Sequence, residues 1–180
     1  MPEVSGDIAM ETVMNRRVSI KKVLRGVDGI SWLLLRPVVK IGSALVLGDR
    51  QTLLSRRLAF EGDDVEFEIF ENHFHLEDVT GGILQVTGKE RETLARLGYA
   101  VMLVIYGKLK PFLHKNNVLF YIGGRDTVML RFHTEVTDRN WIDIEDWSLL
   151  ERENVRVFRA TKSSLMALPP YSETLGLSGF

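Results

Sequence analysis

The sequence predicts an α+β fold, in which a mostly antiparallel β-sheet carries an N-terminal helix and one or two further helices packed on one face. Three observations predict it. Short apolar runs of strand length recur along the chain, most of them are joined by short turns, and the N-terminal region has helical apolar spacing instead. We expect a single domain over residues 1–180, because this length suits one hydrophobic core and no linker-like stretch divides the chain.

The N-terminal segment 6–25 is predicted to form an amphipathic helix. Its apolar side chains recur at helical spacing; they are Met10, Val13, Met14 and Val18. Arg17, Lys21 and Arg25 form a basic stripe along the same segment. Gly26 follows the basic last turn, where a glycine commonly ends a helix.

Two apolar runs and a short helix are predicted next. Ile30–Leu35 has the length of a strand, and Pro37 after it indicates a sheet edge or a bend. The second run, Val38–Leu47, is interrupted at Gly42. Asp49 is a suitable N-terminal cap for a short leucine-containing helix that follows it.

The middle of the chain is predicted to hold four strands and one helix; one of these strands begins at Ile83–Val86, after a break at Gly81 and Gly82. Residues 64–70 alternate apolar and acidic side chains, which is typical of a half-buried strand. After a tight turn, His73–Val79 is predicted to be its partner strand. Lys89–Leu97 is helix-forming, and Gly98 stands where that helix should end. Tyr99–Tyr106 is a continuous apolar run, so we expect a strand buried on both faces.

The clearest signal in the chain is a β-hairpin. Val118–Ile122 and Thr127–Val136 flank a glycine-rich turn at residues 123–126. In the second arm, the even-numbered apolar residues should face one way. The residues facing the other way are Met129, Arg131, His133 and Glu135. We expect Arg131, His133 and Glu135 of this second set to form an ionic row on a solvated face, and the alternative is that the row supplies an acid/base group.

The C-terminal region is predicted to add one helix and one strand. Asp146 or Ser148 can cap a short helix that ends near Asn154. A strand is expected at Val155–Thr161, and the tail 163–180 is expected to be irregular.

Composition excludes several classes of protein. The chain has no cysteine, which rules out disulfides, thiolate catalysis and cysteine-ligated zinc. The first 14 residues lack the pattern of a signal peptide, and no apolar run approaches the ~20 residues that span a bilayer. We therefore expect a cytoplasmic protein without a membrane span.

The chain contains no recognisable catalytic motif. Residues 176–179 lack the spacing of a nucleophile elbow, and residues 87–90 lack the upstream glycine of a phosphate loop. This favours a binding protein over an enzyme, with no cofactor. We expect a protein-binding module: an inhibitor, an immunity-type protein, an adaptor or an assembly component, whose partner is a protein or a second copy of the chain.

Acidic and aromatic surfaces are the predicted partner-binding sites, because tryptophan is enriched in interface hot spots and carboxylates steer basic partners. The predicted residues are Asp138, Trp141, Asp143, Glu145, Asp146, Trp147, Asp63, Asp64, Glu66 and Glu68. Residues 61–78 hold eight carboxylates and no Lys or Arg, while the first 60 residues hold ten Lys or Arg. An alternative is that these two charged regions pair with each other in the fold.

A metal site is a second hypothesis, which would make the chain a metal-dependent enzyme or a metal-binding protein. His73 and His75 point to the same side of a strand, and Glu77 is next on that face. A third nitrogen ligand would come from His133 or His114. The alternative is a strand with two histidines on its solvent face.

The basic residues of segment 16–25 allow a third hypothesis, binding to nucleic acid or to an anionic membrane surface. They are Arg16, Arg17, Lys21, Lys22 and Arg25. The isoelectric point of about 6.4 and the absence of aromatic residues from the segment argue against a nucleic-acid partner. A solvated helix face or a surface for an acidic partner explains the same residues.

Overall fold

The computed structural model describes residues 20–82, 84, 88–114, 116–136 and 139–168, with the backbone alone at 20–27 and 89. In this part of the chain six α-helices and seven strands are present. The helices are α1 Ile20–Leu35, α2 Arg50–Arg57, α3 Asp64–Glu71, α4 Leu76–Val79, α5 Gly88–Leu109 and α6 Trp147–Glu153. The strands are β1 Val38–Ile41, β2 Ala44–Leu47, β3 His73–His75, β4 Val118–Gly123, β5 Met129–Thr134, β6 Val155–Ala160 and β7 Leu165–Ala167.

The strands form two antiparallel sheets. The main sheet has the order β3-β5-β4-β6-β7, and β1 and β2 form a separate hairpin. In the centre of the main sheet, Phe120 of β4 lies opposite Phe132 of β5 and Phe158 of β6. The predicted α+β class with a mostly antiparallel sheet is therefore confirmed.

One face of the main sheet forms the larger core. Phe120, Phe132 and Phe158 point to this face and pack with buried residues of α5, including Met102 and Ile105. The C-terminal end of α1 is held against α5 by the ammonium group of Lys108, which donates hydrogen bonds to the carbonyl oxygens of Leu34 and Arg36. A cation at these free carbonyls complements the helix dipole.

The opposite face of the sheet is covered as well. Leu119 and Tyr121 of β4 pack there with Leu150 of α6 and with the half-buried Trp141 and Ile142. Every residue of β4 is consequently buried. The main sheet therefore has no broad solvated face at its centre.

Several predicted elements are confirmed. The hairpin is formed by β4 and β5. Asp49 caps α2 by accepting a hydrogen bond from the amide of Thr52 at 2.9 Å. Asp146 caps α6, which ends at Asn154 in the left-handed conformation with φ 53°. The strand predicted after it is β6.

The predicted C-terminal end of the N-terminal helix is wrong. The helix does not stop at Gly26, and no strand forms at Ile30–Leu35, because α1 continues through both to Leu35. Gly29 lies inside this helix, and a Cβ atom there would stand 2.2 Å from the carbonyl oxygen of Val79. The glycine thus allows α1 and α4 to approach closely. Residues 6–19 of the predicted helix lie outside the described residues.

The strand predicted at residues 64–70 is a helix, α3. The side chain of Asp63 accepts hydrogen bonds from the amides of Val65 at 3.1 Å and Glu66 at 3.0 Å, which starts the helix. This cap and the packing of Phe67 into the core outweigh the alternating pattern of the segment.

The strand predicted at Tyr99–Tyr106 is also helical. Both it and Lys89–Leu97 belong to α5, which passes through Gly98 without a break. A Cβ atom at Gly98 would stand 2.7 Å from a methyl group of Leu76 and 3.2 Å from one of Ile122. The residue is therefore a close-packing position of the helix.

Two strand ends also differ from the prediction. The strand predicted at His73–Val79 stops at His75, and Glu77 lies in α4. In the tail 163–180, which was predicted to be irregular, Leu165–Ala167 forms the edge strand β7. Residues 169–180 lie outside the described part of the chain, as does the strand predicted at Ile83–Val86 except for Leu84.

Candidate functional site

Several of the carboxylates of residues 61–78 are paired within the chain. Three of them form ion pairs with arginines: Asp63 with Arg139, Asp64 with Arg57 at 2.6 Å, and Glu71 with Arg56 at 2.9 Å. Two of these arginines come from the basic first third of the chain, as the alternative interpretation predicted. Asp63 and Asp64 are therefore committed to the fold, whereas Glu61, Glu66 and Asp78 are exposed.

Glu68 is not a surface residue, since only 1% of it is exposed. Its carboxylate accepts hydrogen bonds from the amide of Leu45, the amide of Thr134 at 2.6 Å and the hydroxyl of Thr134 at 2.8 Å. Burial raises the pKa of Glu68 to about 7, although the three donors favour the ionised form. The side chain joins the β1–β2 hairpin to the end of β5.

Trp141 belongs to the core of the second sheet face. Its ring meets that of Tyr121 edge to face with centroids 5.3 Å apart, and the guanidinium carbon of Arg131 lies 4.1 Å from its centroid. Trp141 is therefore half-buried, and a partner-binding role for it stays a prediction. Asp138, from the same predicted surface, lies outside the described residues.

The rest of that segment forms an exposed surface, called here the acidic Trp147 surface and made of Asp143, Glu145, Asp146 and Trp147. Trp147 begins α6 and is 40% exposed. Asp146 caps the helix, while Asp143 accepts a hydrogen bond from the amide of Glu145 at 2.9 Å. Among the described residues, no cationic group forms an ion pair with Asp143 or Glu145.

His73 and His75 lie on the same sheet face, with ring centroids 4.6 Å apart. Arg131, directly opposite His73 in β5, donates a hydrogen bond from Nη2 to Nδ1 of His73 at 2.7 Å. Glu77 stands off the strand, with its Oε1 4.0 Å from Nδ1 of His75. A guanidinium cation at His73 opposes a metal cation, and no group of three potential ligands is assembled within the described ranges.

His133 is wholly buried, so the expectation of a solvated ionic row along β5 is wrong. Its Nδ1 lies 2.8 Å from the carbonyl oxygen of Thr134 and therefore carries the proton. Nε2 then accepts hydrogen bonds from the hydroxyl of Tyr121 at 3.0 Å and the amide of Trp141 at 3.3 Å. Burial lowers the pKa of His133 and raises the pKa of Tyr121. Both rings are thus neutral and hydrogen-bonded.

Arg131 was not predicted as a site residue, yet it is the most unusual side chain of this face. It is 7% exposed, and no carboxylate of the described residues pairs with it. Two side-chain atoms here are buried without a hydrogen-bond partner among the described residues, namely Nε of Arg131 and Nε2 of His73. Burial lowers the pKa of Arg131 to about 10, and burial together with the charge of Arg131 lowers the pKa of His73 to about 4. At neutral pH Arg131 is charged and His73 is neutral.

The basic segment 16–25 stays a prediction. Arg16 and Arg17 lie outside the described residues, and for Lys21, Lys22 and Arg25 the structure gives the backbone of α1 alone. No described helix is both long enough and apolar enough to cross a membrane.

Comparisons of the chain with protein-family models, curated proteins and solved structures found no match.

Proposed function

We propose that the chain is a cytoplasmic protein-binding module that engages a basic protein partner through the acidic Trp147 surface. One observation supports this most directly. Trp147 is 40% exposed beside the exposed Asp143 and Glu145, which form no ion pair among the described residues. The other acidic segment, 61–78, contains no tryptophan, and three of its eight carboxylates are paired with arginines. An inhibitor, immunity-type, adaptor or assembly role is compatible with this surface.

The position of Trp147 suits a binding anchor. It lies one helical turn before Leu150, which is buried in the core of the second sheet face. The helix is thus fixed to the sheet, and the indole is presented from a rigid element at low entropic cost. Interface hot spots are enriched in tryptophan at such positions, and nearby carboxylates raise the association rate of a basic partner.

The metal hypothesis receives no comparable support. A metal bound by His73 and His75 would have to displace the guanidinium of Arg131 from Nδ1 of His73. The carboxylate of Glu77 also accepts a hydrogen bond from the amide of Val128 at 3.3 Å.

Photo-crosslinking in the native host tests the proposal. A photoreactive phenylalanine analogue would replace Trp147, and the matched control would place it at Phe70, an aromatic residue of α3 that is 60% exposed. We expect one dominant protein adduct from position 147 that is absent from position 70. An adduct pattern that is the same at both positions, or no adduct at 147, contradicts the proposal.

The captured protein would then be purified and its affinity measured. Trp147→Ala should weaken binding by about 2 kcal/mol, roughly thirtyfold in Kd, because it removes the anchor. Glu145→Gln should mainly slow association and reduce its dependence on salt. Glu66→Gln removes an exposed carboxylate on another surface and is the matched control. It should leave both the affinity and the association rate unchanged. Circular dichroism checks that each variant is folded.

A further inference from the structure

The strongest unexplained feature lies at the edge of the main sheet, away from Trp147. Arg131 and His73 face each other across β5 and β3, and each buries an N–H group that has no acceptor among the described residues. A buried guanidinium normally has a carboxylate or phosphate partner, because removal from water costs far more than one neutral hydrogen bond returns. Here His73, a neutral acceptor, is the one hydrogen-bond partner of Arg131 among the described residues.

The protonation states show what kind of group is missing. Nδ1 of His73 accepts from Arg131, so the proton of the neutral ring is on Nε2. The two unpartnered atoms, Nε of Arg131 and Nε2 of His73, are therefore both donors. Both atoms would be satisfied by a hydrogen-bond acceptor, and a negatively charged acceptor would also balance the positive charge of Arg131.

The aromatic neighbour of Arg131 does not occupy the plane in which the guanidinium makes hydrogen bonds. Trp141 lies over Arg131, with the guanidinium carbon 4.1 Å from the ring centroid. This cation–π contact uses the flat face of the guanidinium, while hydrogen bonds are made in its plane. An anion at the unpartnered Nε–H would therefore not compete with Trp141.

The charge of the surroundings selects among anions. Arg131 is one cation, His73 is neutral, and Glu77 lies beside His75 next to the site. A single guanidinium matches the charge of one carboxylate, and its planar donors match carboxylate geometry. A dianionic phosphate would place a second negative charge near Glu77 without a cation to balance it.

We infer that Arg131 and His73 form a binding site for a small carboxylic acid, with Nε–H of Arg131 holding the carboxylate. Nε2–H of His73 is a second unpartnered donor on the same pair of side chains, which are in contact through Nη2 of Arg131 and Nδ1 of His73. It suits an additional oxygen on the ligand, such as that of a hydroxy acid. Trp141 then forms an apolar wall of the site.

The test uses the full chain and lactate, a monoanionic hydroxy acid, with side-chain ¹⁵N NMR as the readout. We expect millimolar lactate to shift the signals of Arg131 Nε–H and His73 Nε2–H in a saturable way. Lactamide, which has the same shape without the charge, should shift neither, and inorganic phosphate should bind more weakly than lactate. Stronger binding of phosphate, equal binding of lactamide, or no shift with lactate or its oxo-acid analogue pyruvate overturns the inference.

Variants give a second measurement. Arg131→Lys keeps the charge and removes Nε–H, so it should weaken lactate binding about tenfold or more. His73→Phe keeps a planar ring and should weaken it several-fold. Arg152→Lys, on the exposed side of α6, is the matched control and should not change the affinity. Lactate binding that survives both site variants overturns the inference. If Arg131→Lys does not fold, His73→Phe and the shifts in the unmodified chain still decide it.

Discussion

Glu68 should make the stability of this protein depend on pH in an unusual direction. Burial raises the pKa of its carboxyl from 4.5 to about 7, so the folded chain keeps a proton that the unfolded chain has already lost. One pH unit between the two pKa values is worth about 1.4 kcal/mol. Glu68 should therefore lower the free energy of unfolding by about 3 kcal/mol as its carboxyl ionises.

The pH window follows from the same two values. Below pH 4.5 the carboxyl is protonated in both states, and its full stabilising contribution is present. The contribution is lost as the pH rises from 4.5 to about 7, and above that it stays lost. The site can accept the proton, because the hydroxyl of Thr134, 2.8 Å from Oε1, can turn from donor to acceptor.

Urea unfolding of the wild type and of Glu68→Gln, at a series of pH values, measures this effect. Glutamine does not titrate, and one of its N–H groups would face a buried amide donor, a cost of about 1–3 kcal/mol at every pH. The stability advantage of the wild type should therefore shrink by about 3 kcal/mol between pH ~4.5 and pH ~8. The histidines contribute equally to the two curves of unfolding free energy against pH, so their contribution cancels when one curve is subtracted from the other.

Glu66→Gln, in the same helix and exposed, is the control and should show a constant difference from the wild type. A constant difference for Glu68→Gln would refute the reasoning. So would a wild-type advantage that grows with pH, since it would mean that the three donors hold the carboxylate ionised with a low pKa.

Two further predictions concern close packing and buried polar groups. Gly29→Ala should destabilise the fold by about 1–3 kcal/mol or more, because its Cβ meets a carbonyl oxygen at 2.2 Å. A Cβ atom at Gly107 in α5 would meet open space, so Gly107→Ala should stabilise the fold by about 1 kcal/mol. Thermal unfolding of both glycine variants checks this, and a shift of the unfolding temperature in the same direction for the two would contradict the prediction. Asn72→Ala should cost about 2–4 kcal/mol in urea unfolding, because it leaves an N–H and a C=O of β2 without the partners now at 3.1 and 2.8 Å. A loss below about 1 kcal/mol would show that water replaces the amide.

The parts of the fold that the sequence predicts well are those decided by local chemistry. The β4–β5 hairpin follows from alternation around a glycine-rich turn, and the two caps, Asp49 and Asp146, follow from side chains that can reach their own helix amides. In each case the interacting groups are a few residues apart. Local sequence is then sufficient information.

The errors arise where a distant contact decides. Glycine is typical of helix ends, yet helices run through Gly26, Gly29 and Gly98. Gly29 and Gly98 are there because another backbone or side chain comes too close for a Cβ atom. Residues 64–70 alternate like a strand, but the cap at Asp63 and the burial of Phe67 make them helical. The cap is a local signal that the alternating pattern conceals, whereas the core residues that bury Phe67, such as Ile41 and Val46, are more than 20 residues away in the sequence.

The candidate sites show the same division. The exposure of Trp147 and Asp143 agrees with the predicted surface. Glu68, in contrast, is buried against Leu45 and Thr134, which are distant in sequence, and Asp64 pairs with Arg57, seven residues before it. The sequence of the neighbouring strand β4 does indicate the burial of Arg131. All positions of β4 except its last glycine are apolar or aromatic, which indicates that both faces of its neighbour β5 are covered.

The place of β3 in the sheet has a consequence for synthesis of the chain. Its one partner in the sheet among the described strands is β5, which begins about 50 residues later in the sequence. At ribosomal rates of 5–20 residues per second, β3 waits roughly 3–10 s for the strand that pairs with it. During that time Phe74 and the free edges of β3 are open to other chains. β4 and β5 are separated by a short turn and emerge almost together. The nascent protein therefore acquires its central hairpin first, and β3 then pairs with β5 as a segment made well before it.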